Sequence, residues 1–236
     1  MAESSHLKMV ISKWYDSINY TSFKYDSQHR LSAQVDSNNN GHKHIARIEY
    51  NAQDRPIKIT TAYTYNNTNF YPDQSDSLIY DASGRIVKKV SLNALTNIDP
   101  TRNSYSYDAK GRLIADSIHS YWANEIFGYI TYTYDDNDNI IQAMDYEKLS
   151  GPMQIQSIMQ GSYDSKTNPY NRLAVLGYII NQNDVYLSKN NRNSEKYQGG
   201  TIVTFDYNYY GNGLPKRLSV KDNSDPSITY LDFVYE

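Results

Sequence analysis

Short stretches of strict two-residue alternation recur along the chain, separated by polar turns. Ser77-Leu78-Ile79-Tyr80, Ser104-Tyr105-Ser106-Tyr107 and Tyr129-Ile130-Thr131-Tyr132-Thr133-Tyr134 each precede a turn. Arg85-Ile86-Val87-Lys88-Lys89-Val90 and Arg112-Leu113-Ile114-Ala115-Asp116-Ser117-Ile118 each follow one. Tyr, Ile, Thr and Val dominate, and the period is two, which predicts strands. The turns share a phrase: aromatic, Asp or Asn, two or three polar residues, often Gly, then Arg and an apolar residue or Pro. It begins at Tyr25, Tyr50, Tyr80 and Tyr107, and more weakly at Tyr134, Tyr163 and Tyr209. Asp followed three residues later by Gly marks a type I turn ending in a left-handed glycine, a usual hairpin loop. Gly84 and Gly111 are expected to be left-handed, with His29 and Asp54 in the equivalent place. One repeat is then one hairpin. The fold class is all-β: an antiparallel meander of about 14–16 strands, forming one domain over 1–236. A sheet that wide curls into a barrel or half-barrel, or folds into two layers.

The pattern is interrupted between Tyr163 and Thr201. Asn168-Pro169 reads as an N-cap with Pro at the first helical position. Leu173, Leu176, Ile179 and Ile180 follow at helical spacing, predicting a short helix at about 169–180. A polar loop is expected from Asn193 to Gly200. The whole insertion, about 164–200, is expected to cap one end of the shell.

Composition supports a turn-rich β protein. There are 20 Asp against 6 Glu, with 24 Asn, and turns favour Asp and Asn. Leu, Ile, Val and Phe number only 48 of 236 residues, but 25 tyrosines supply buried area and a hydroxyl each. The core should be wet and aromatic. No cysteine is present, which removes disulfides and thiolate chemistry. The net charge is −3 without a basic block, so no nucleic-acid partner is expected. No apolar run is long enough for a membrane helix. The strand faces after Arg85 and Arg112 are too polar for a lipid-facing barrel, so no transmembrane insertion is expected. The start, Met1 to His6, carries no signal peptide as it stands.

The Tyr-Asp-x-x-Gly-Arg-Leu phrase resembles the YD repeat of the RHS and teneurin shells. A closer likeness is to the extracytoplasmic lipoprotein domains of Bacteroidetes that have a porin-like barrel and no assigned function. It rests on the meander from Tyr25 to Tyr134 and the Tyr-Asp-x-Lys-x-Asn-Pro-Tyr interruption from Tyr163 to Tyr170. It rests also on Leu-Ser-Lys-Asn-Asn, Leu187 to Asn191, and a Phe-x-Tyr ending at Phe233 and Tyr235. The resemblance implies a fold and an extracytoplasmic location, periplasmic or at the cell surface. It implies no reaction.

Candidate chemistry is sparse. His42 and His44 could share a strand face as metal ligands, but no third ligand is near, and a solvated loop is preferred. Asp135 to Asn139 fails the calcium-loop spacing and reads as the fifth hairpin turn. No metal or other cofactor is expected. Asp116, Asp145, Asp206 and Asp232 fall on predicted strands, and the preferred reading puts them on the wet face. The repeat arginines, Arg30, Arg55, Arg85 and Arg112, should lie on an aromatic ring or pair with the turn Asp. In each of the adjacent pairs Trp14-Tyr15 and Tyr121-Trp122, one ring must face outward. The residues expected to touch a ligand are Tyr170, Arg172, Tyr186, Lys189 and Asn190, with Trp14 and Trp122. No catalytic residue is assigned. The expected function is a secreted or surface-tethered binding or scaffold module, monomeric, with a glycan or a surface protein as partner. The alternative is a carboxylate-dependent hydrolase acting inside the barrel.

Overall fold

The computed structural model describes residues 6–65, 69–93, 101–119, 125–148, 151–180 and 183–236. Its strands are β1 (Leu7–Trp14), β2 (Ser17–Tyr25), β3 (Leu31–Asn38), β4 (Lys43–Tyr50), β5 (Pro56–Thr64), β6 (Tyr71–Tyr80), β7 (Ile86–Asn93) and β8 (Thr101–Tyr107). They continue as β9 (Leu113–His119), β10 (Ile126–Tyr134), β11 (Ile140–Glu147), β12 (Gln154–Thr167), β13 (Asn190–Tyr197), β14 (Ile202–Tyr209), β15 (Pro215–Asp222) and β16 (Asp225–Tyr235). Every strand pairs antiparallel with its neighbours in sequence, and β16 closes on β1, with Val10 opposite Phe233. The result is a closed barrel of 16 strands. Closure leaves no sheet edge to be protected.

The repeat phrase builds one rim. In the turn after β6, Gly84 N–H donates to Asp81 O and Arg85 N–H to Asp81 Oδ1. Gly84 and Gly111 both have φ +81°, while His29, Asp54 and Asp138 hold φ 59–61° in the same place. Asp135 to Asn139 forms the fifth such turn. Each repeat tyrosine then reaches back to the preceding hairpin. Tyr50, Tyr80, Tyr107 and Tyr134 hydroxyls donate to the carbonyls of Leu31, Pro56, Ile86 and Leu113 at 2.8, 2.6, 2.5 and 2.7 Å. The arginine of each turn lies over the next tyrosine ring, Arg30 on Tyr50 at 4.4 Å and Arg112 on Tyr134 at 4.6 Å. Arg30, Arg85 and Arg112 also pair with their own turn Asp. Both expected roles of these arginines therefore hold at once, and the phrase works as a coupling between hairpins.

The insertion enters the barrel from this same turn rim. Asn168 caps it, its Oδ1 accepting from Tyr170 N–H at 3.0 Å. The predicted helix is a 3-10 helix (Pro169–Leu176) bent at Leu173, followed by α1 (Gly177–Ile180) and α2 (Asn183–Leu187). Leu173 and Leu176 are buried; the side chains of Ile179 and Ile180 lie outside the described residues. Tyr170 packs edge-on against Phe233 of β16, and Tyr178 against Tyr105 of β8. The insertion thus reaches opposite walls of the barrel and plugs it.

Two expectations are corrected here. The polar loop from Asn193 to Gly200 is mostly strand: β13 runs through Tyr197, so the insertion spans only 168–189. Arg192 and Glu195 are buried on β13 because the barrel supplies partners, the two pairing with each other and Tyr197 hydroxyl donating to Glu195 Oε2 at 2.6 Å, while Asn193 and Lys196 are exposed. Asp116 is not on the wet face either. It is 3% exposed, inside the barrel, and accepts from Asn103 Nδ2 at 2.8 Å. It shares that interior with Asp76 and Lys89, whose Nζ donates to Tyr178 O at 2.8 Å. Asp206 and Asp232 do face outward. The outer faces of β14 and β15 carry Thr204, Asp206 and Asn208 opposite Lys221, Ser219 and Arg217. No helix among the described residues is long and apolar enough to cross a membrane.

Candidate functional site

A cavity of about 370 Å³ lies between the insertion and the inner faces of β1–β3 and β12–β16. Alternation brings Val10, Phe205, Leu218, Val220 and Leu231 to its wall. Tyr170 and Tyr186 enter from the insertion, their rings edge-to-face at 5.5 Å, and Tyr207 enters from β14. These three hydroxyls make no protein hydrogen bond among the described residues. Burial raises the pKa of each, so they stand as neutral phenols. Gln34, only 8% exposed, adds an amide whose Oε1 has no partner. Arg192 and Glu195 also border the cavity and neutralise each other.

The expected ligand residues divide. Tyr170, Tyr186 and Asn190 line this cavity, although Asn190 is already bonded to Asn139 and Lys166. Arg172 is exposed and borders a separate hollow of about 320 Å³ on the turn rim, beside His29 and Tyr25. Lys189 is also on that rim, paired with Asp138 at 2.5 Å. Trp14 stands at the opposite rim, its Nε1 donating to Ser227 Oγ at 3.3 Å. Both Trp14 and Tyr15 are exposed, where one outward ring was required. Tyr121 and Trp122 lie outside the described residues.

At that opposite rim a groove of about 440 Å³ is lined by Tyr20, Tyr63, Tyr65, Asp36, Asn38 and His44. Tyr63 touches Tyr65 at 5.3 Å and Tyr71 at 5.8 Å, and Tyr65 is 62% exposed. His42 meets the Tyr65 ring edge-on. His44 lies 3.9 Å from both Asp36 and Asp73, and its pKa is raised chiefly by the Asp36 carboxylate beside it. Burial works to raise the Asp36 carboxyl, but the nearby His44 imidazole and hydrogen bonds from Thr21 and Gln34 outweigh it and hold the group below its ordinary value. Thr21 borders both groove and cavity. Among the described residues no group of side chains is arranged to hold a metal ion.

Gln34 and the Tyr63 platform were missed from the sequence. Both lie on strands whose inward face is set by a register shift near a turn, at Lys24/Tyr25 and Glu49/Tyr50. A one-residue shift moves a side chain to the other face, so local alternation could not locate them.

No protein-family model and no curated protein matches the sequence. Solved structures do match. A porin-like protein from Bacteroides uniformis ATCC 8492 superposes with a TM-score of 0.63 at 10% identity, over 98% of this chain and 96% of that one. A porin-like protein from Bacteroides vulgatus ATCC 8482 gives 0.52 at 10% identity, over 99% of both chains. The likeness extends over the whole chain, and at this identity it is one of fold: the protein is similar to these porin-like barrels in architecture.

Proposed function

We propose that this chain is an extracytoplasmic, non-enzymatic barrel scaffold that binds a glycan in the tyrosine-lined groove at its open rim. The observation that carries this is the groove itself, in which the exposed Tyr65 ring and the half-buried Tyr20 and Tyr63 rings stand beside a carboxylate, an amide and an imidazole. Flat rings stack on the apolar faces of sugars, while Asp36, Asn38 and His44 suit hydroxyls. The plugged barrel serves as a rigid mount for the rim. Asp206, Arg217 and Lys221 on the outer face argue against a lipid surround, because a membrane barrel needs an apolar band there. Closure without a free edge favours a monomer.

The hydrolase alternative has less support. Glycoside hydrolysis needs one carboxyl kept protonated near neutrality. Asp145 is raised by burial and by Glu147, but it lines neither the cavity nor the groove; Asp36 is held the other way, and Asp76 and Asp116 are sealed in the interior. A glycan array on the purified chain, followed by calorimetry on hits, tests the binding reading. Tyr63→Ala and Tyr65→Ala should each weaken a hit about tenfold, the loss expected for one aromatic contact. An array with no signal above background, or variants that bind like the parent, would overturn it.

A further inference from the structure

We infer that the hollow on the turn rim is a second binding site, for a small aromatic carboxylate. Its walls follow from the closure of the barrel. His6 and Glu236 exchange backbone hydrogen bonds at 3.1 and 3.0 Å beside the pairing of β1 with β16. The His6 ring then lies 4.8 Å from the Tyr25 ring and 5.6 Å from the His29 ring, nearly parallel to the latter at 15°. His29 is held there by its left-handed place in the first repeat turn, φ 61°. The insertion adds Arg172, Leu173 and Val175 to the same hollow.

The charges here point to an anion. Arg30 is committed twice, to Asp26 at 2.7 Å and to Asp54 at 2.5 Å, and Lys8 is paired with Glu236 at 3.6 Å. No carboxylate among the described residues pairs with Arg172. Burial and Glu236 raise the Tyr25 phenol while Arg172 works to lower it, so the Arg172 charge reaches the hollow that this tyrosine lines. A guanidinium holds a carboxylate through two parallel N–H donors. One unmatched cation suits one negative charge, whereas a dianion would bring a second charge without a counter-ion. Leu7, Leu31, Leu173, Val175 and Leu214 supply apolar lining, and the His6, His29 and Tyr25 rings supply flat faces for an aromatic body. A volume of about 320 Å³ falls in the ordinary range for small-molecule sites, roughly 300–1,000 Å³. This site is on the rim opposite the tyrosine groove, differs from it in ligand class and stands whether or not a glycan binds there.

2-Naphthoate and 2-naphthamide are matched probes, alike in size and shape and differing in the negative charge. Calorimetry on the full chain should show saturable one-to-one binding of 2-naphthoate, about tenfold tighter than 2-naphthamide. Arg172→Gln, at an exposed position, should erase that ratio by weakening 2-naphthoate alone. Leu214→Trp, which fills the hollow from the turn between β14 and β15, should abolish binding of both probes, while Tyr65→Ala in the groove should change neither. Thermal melting of each variant establishes that it is folded. If Leu214→Trp does not fold, the probe ratio on the parent and the Arg172→Gln result decide. The inference is overturned if 2-naphthoate does not bind saturably, if the two probes bind equally to the parent, or if Arg172→Gln or a folded Leu214→Trp binds 2-naphthoate as the parent does.

Discussion

Gly84 and Gly111 form an internal control on the energetics of the turn rim. Both hold φ +81° at the same place in the same turn. Valine at either position forces a β-branched residue into the left-handed region, which costs about 1–2 kcal/mol. Their surroundings differ. A Cβ on Gly111 meets nothing within 4 Å, whereas one on Gly84 falls 2.7 Å from Arg55 Nη2 and 3.0 Å from its Cζ. Arg55 would have to leave its place over the Tyr80 ring, 5.6 Å from the centroid. That contact is worth roughly 0.5–1 kcal/mol in a partly exposed setting. Gly111→Val should therefore cost about 1–2 kcal/mol and Gly84→Val about 1.5–3 kcal/mol. Urea denaturation of the two variants and the parent measures both, with melting points expected to fall by about 2–4 °C per kcal/mol. A Gly111→Val variant as stable as the parent would refute the backbone argument. Equal losses at the two sites would show that the Arg55 contact contributes nothing.

Three further outcomes follow from the interior. Lys89→Met removes the cation buried between Asp76 and Asp116 and should destabilise the barrel by about 3–5 kcal/mol; unchanged denaturant unfolding would mean the carboxylates do not need it. Asn168→Ala deletes the cap and two side-chain donors, to Val185 O and Ser188 O, and should cost about 2–3 kcal/mol in the same assay. Burial pushes the Tyr25 and Tyr80 phenols up to about 12, and Tyr105, Tyr107 and Tyr134 higher still. A raised phenol pKa means the fold favours the neutral form, so this stability is complete below pH 10 and is lost as pH rises through about 12. Exposed tyrosines such as Tyr15 and Tyr65 contribute the first rise in phenolate absorbance of an alkaline titration, and the remaining rise, from the buried phenols, should coincide with the loss of circular dichroism; absorbance that is complete before the circular dichroism changes would contradict the assignment.

The turn phrase was legible because its determinants lie within a few residues. A left-handed glycine, an Asp that accepts from its own turn and an arginine four residues later act through bonds that close inside one hairpin. Five such turns in a row were enough to identify a β meander, and Asn168-Pro169 marked the start of the insertion for the same local reason. The 3-10 form of its first part was not legible, because the bend at Leu173 follows from packing inside the barrel. The Asn193 to Tyr197 part of β13 was read as loop since it has no apolar face. It is a strand because β12 and β14 pair with it and because the interior gives Arg192 and Glu195 to each other.

Which face of each strand points inward, and what it meets there, was decided only in three dimensions. Register shifts beside the turns invert the alternation, so Gln34, Lys89 and Asp116 could not be placed inside by counting. Closure joins Leu7 to Tyr235, the two ends of the chain, and only that pairing brings Val10, Phe205 and Leu231 around one cavity with Tyr170 and Tyr186. The sequence alone determined the hairpins, through backbone preferences and short-range hydrogen bonds. The tertiary structure decided the barrel's closure, its plug and both candidate sites, because those depend on contacts between residues far apart in the chain that no local pattern encodes.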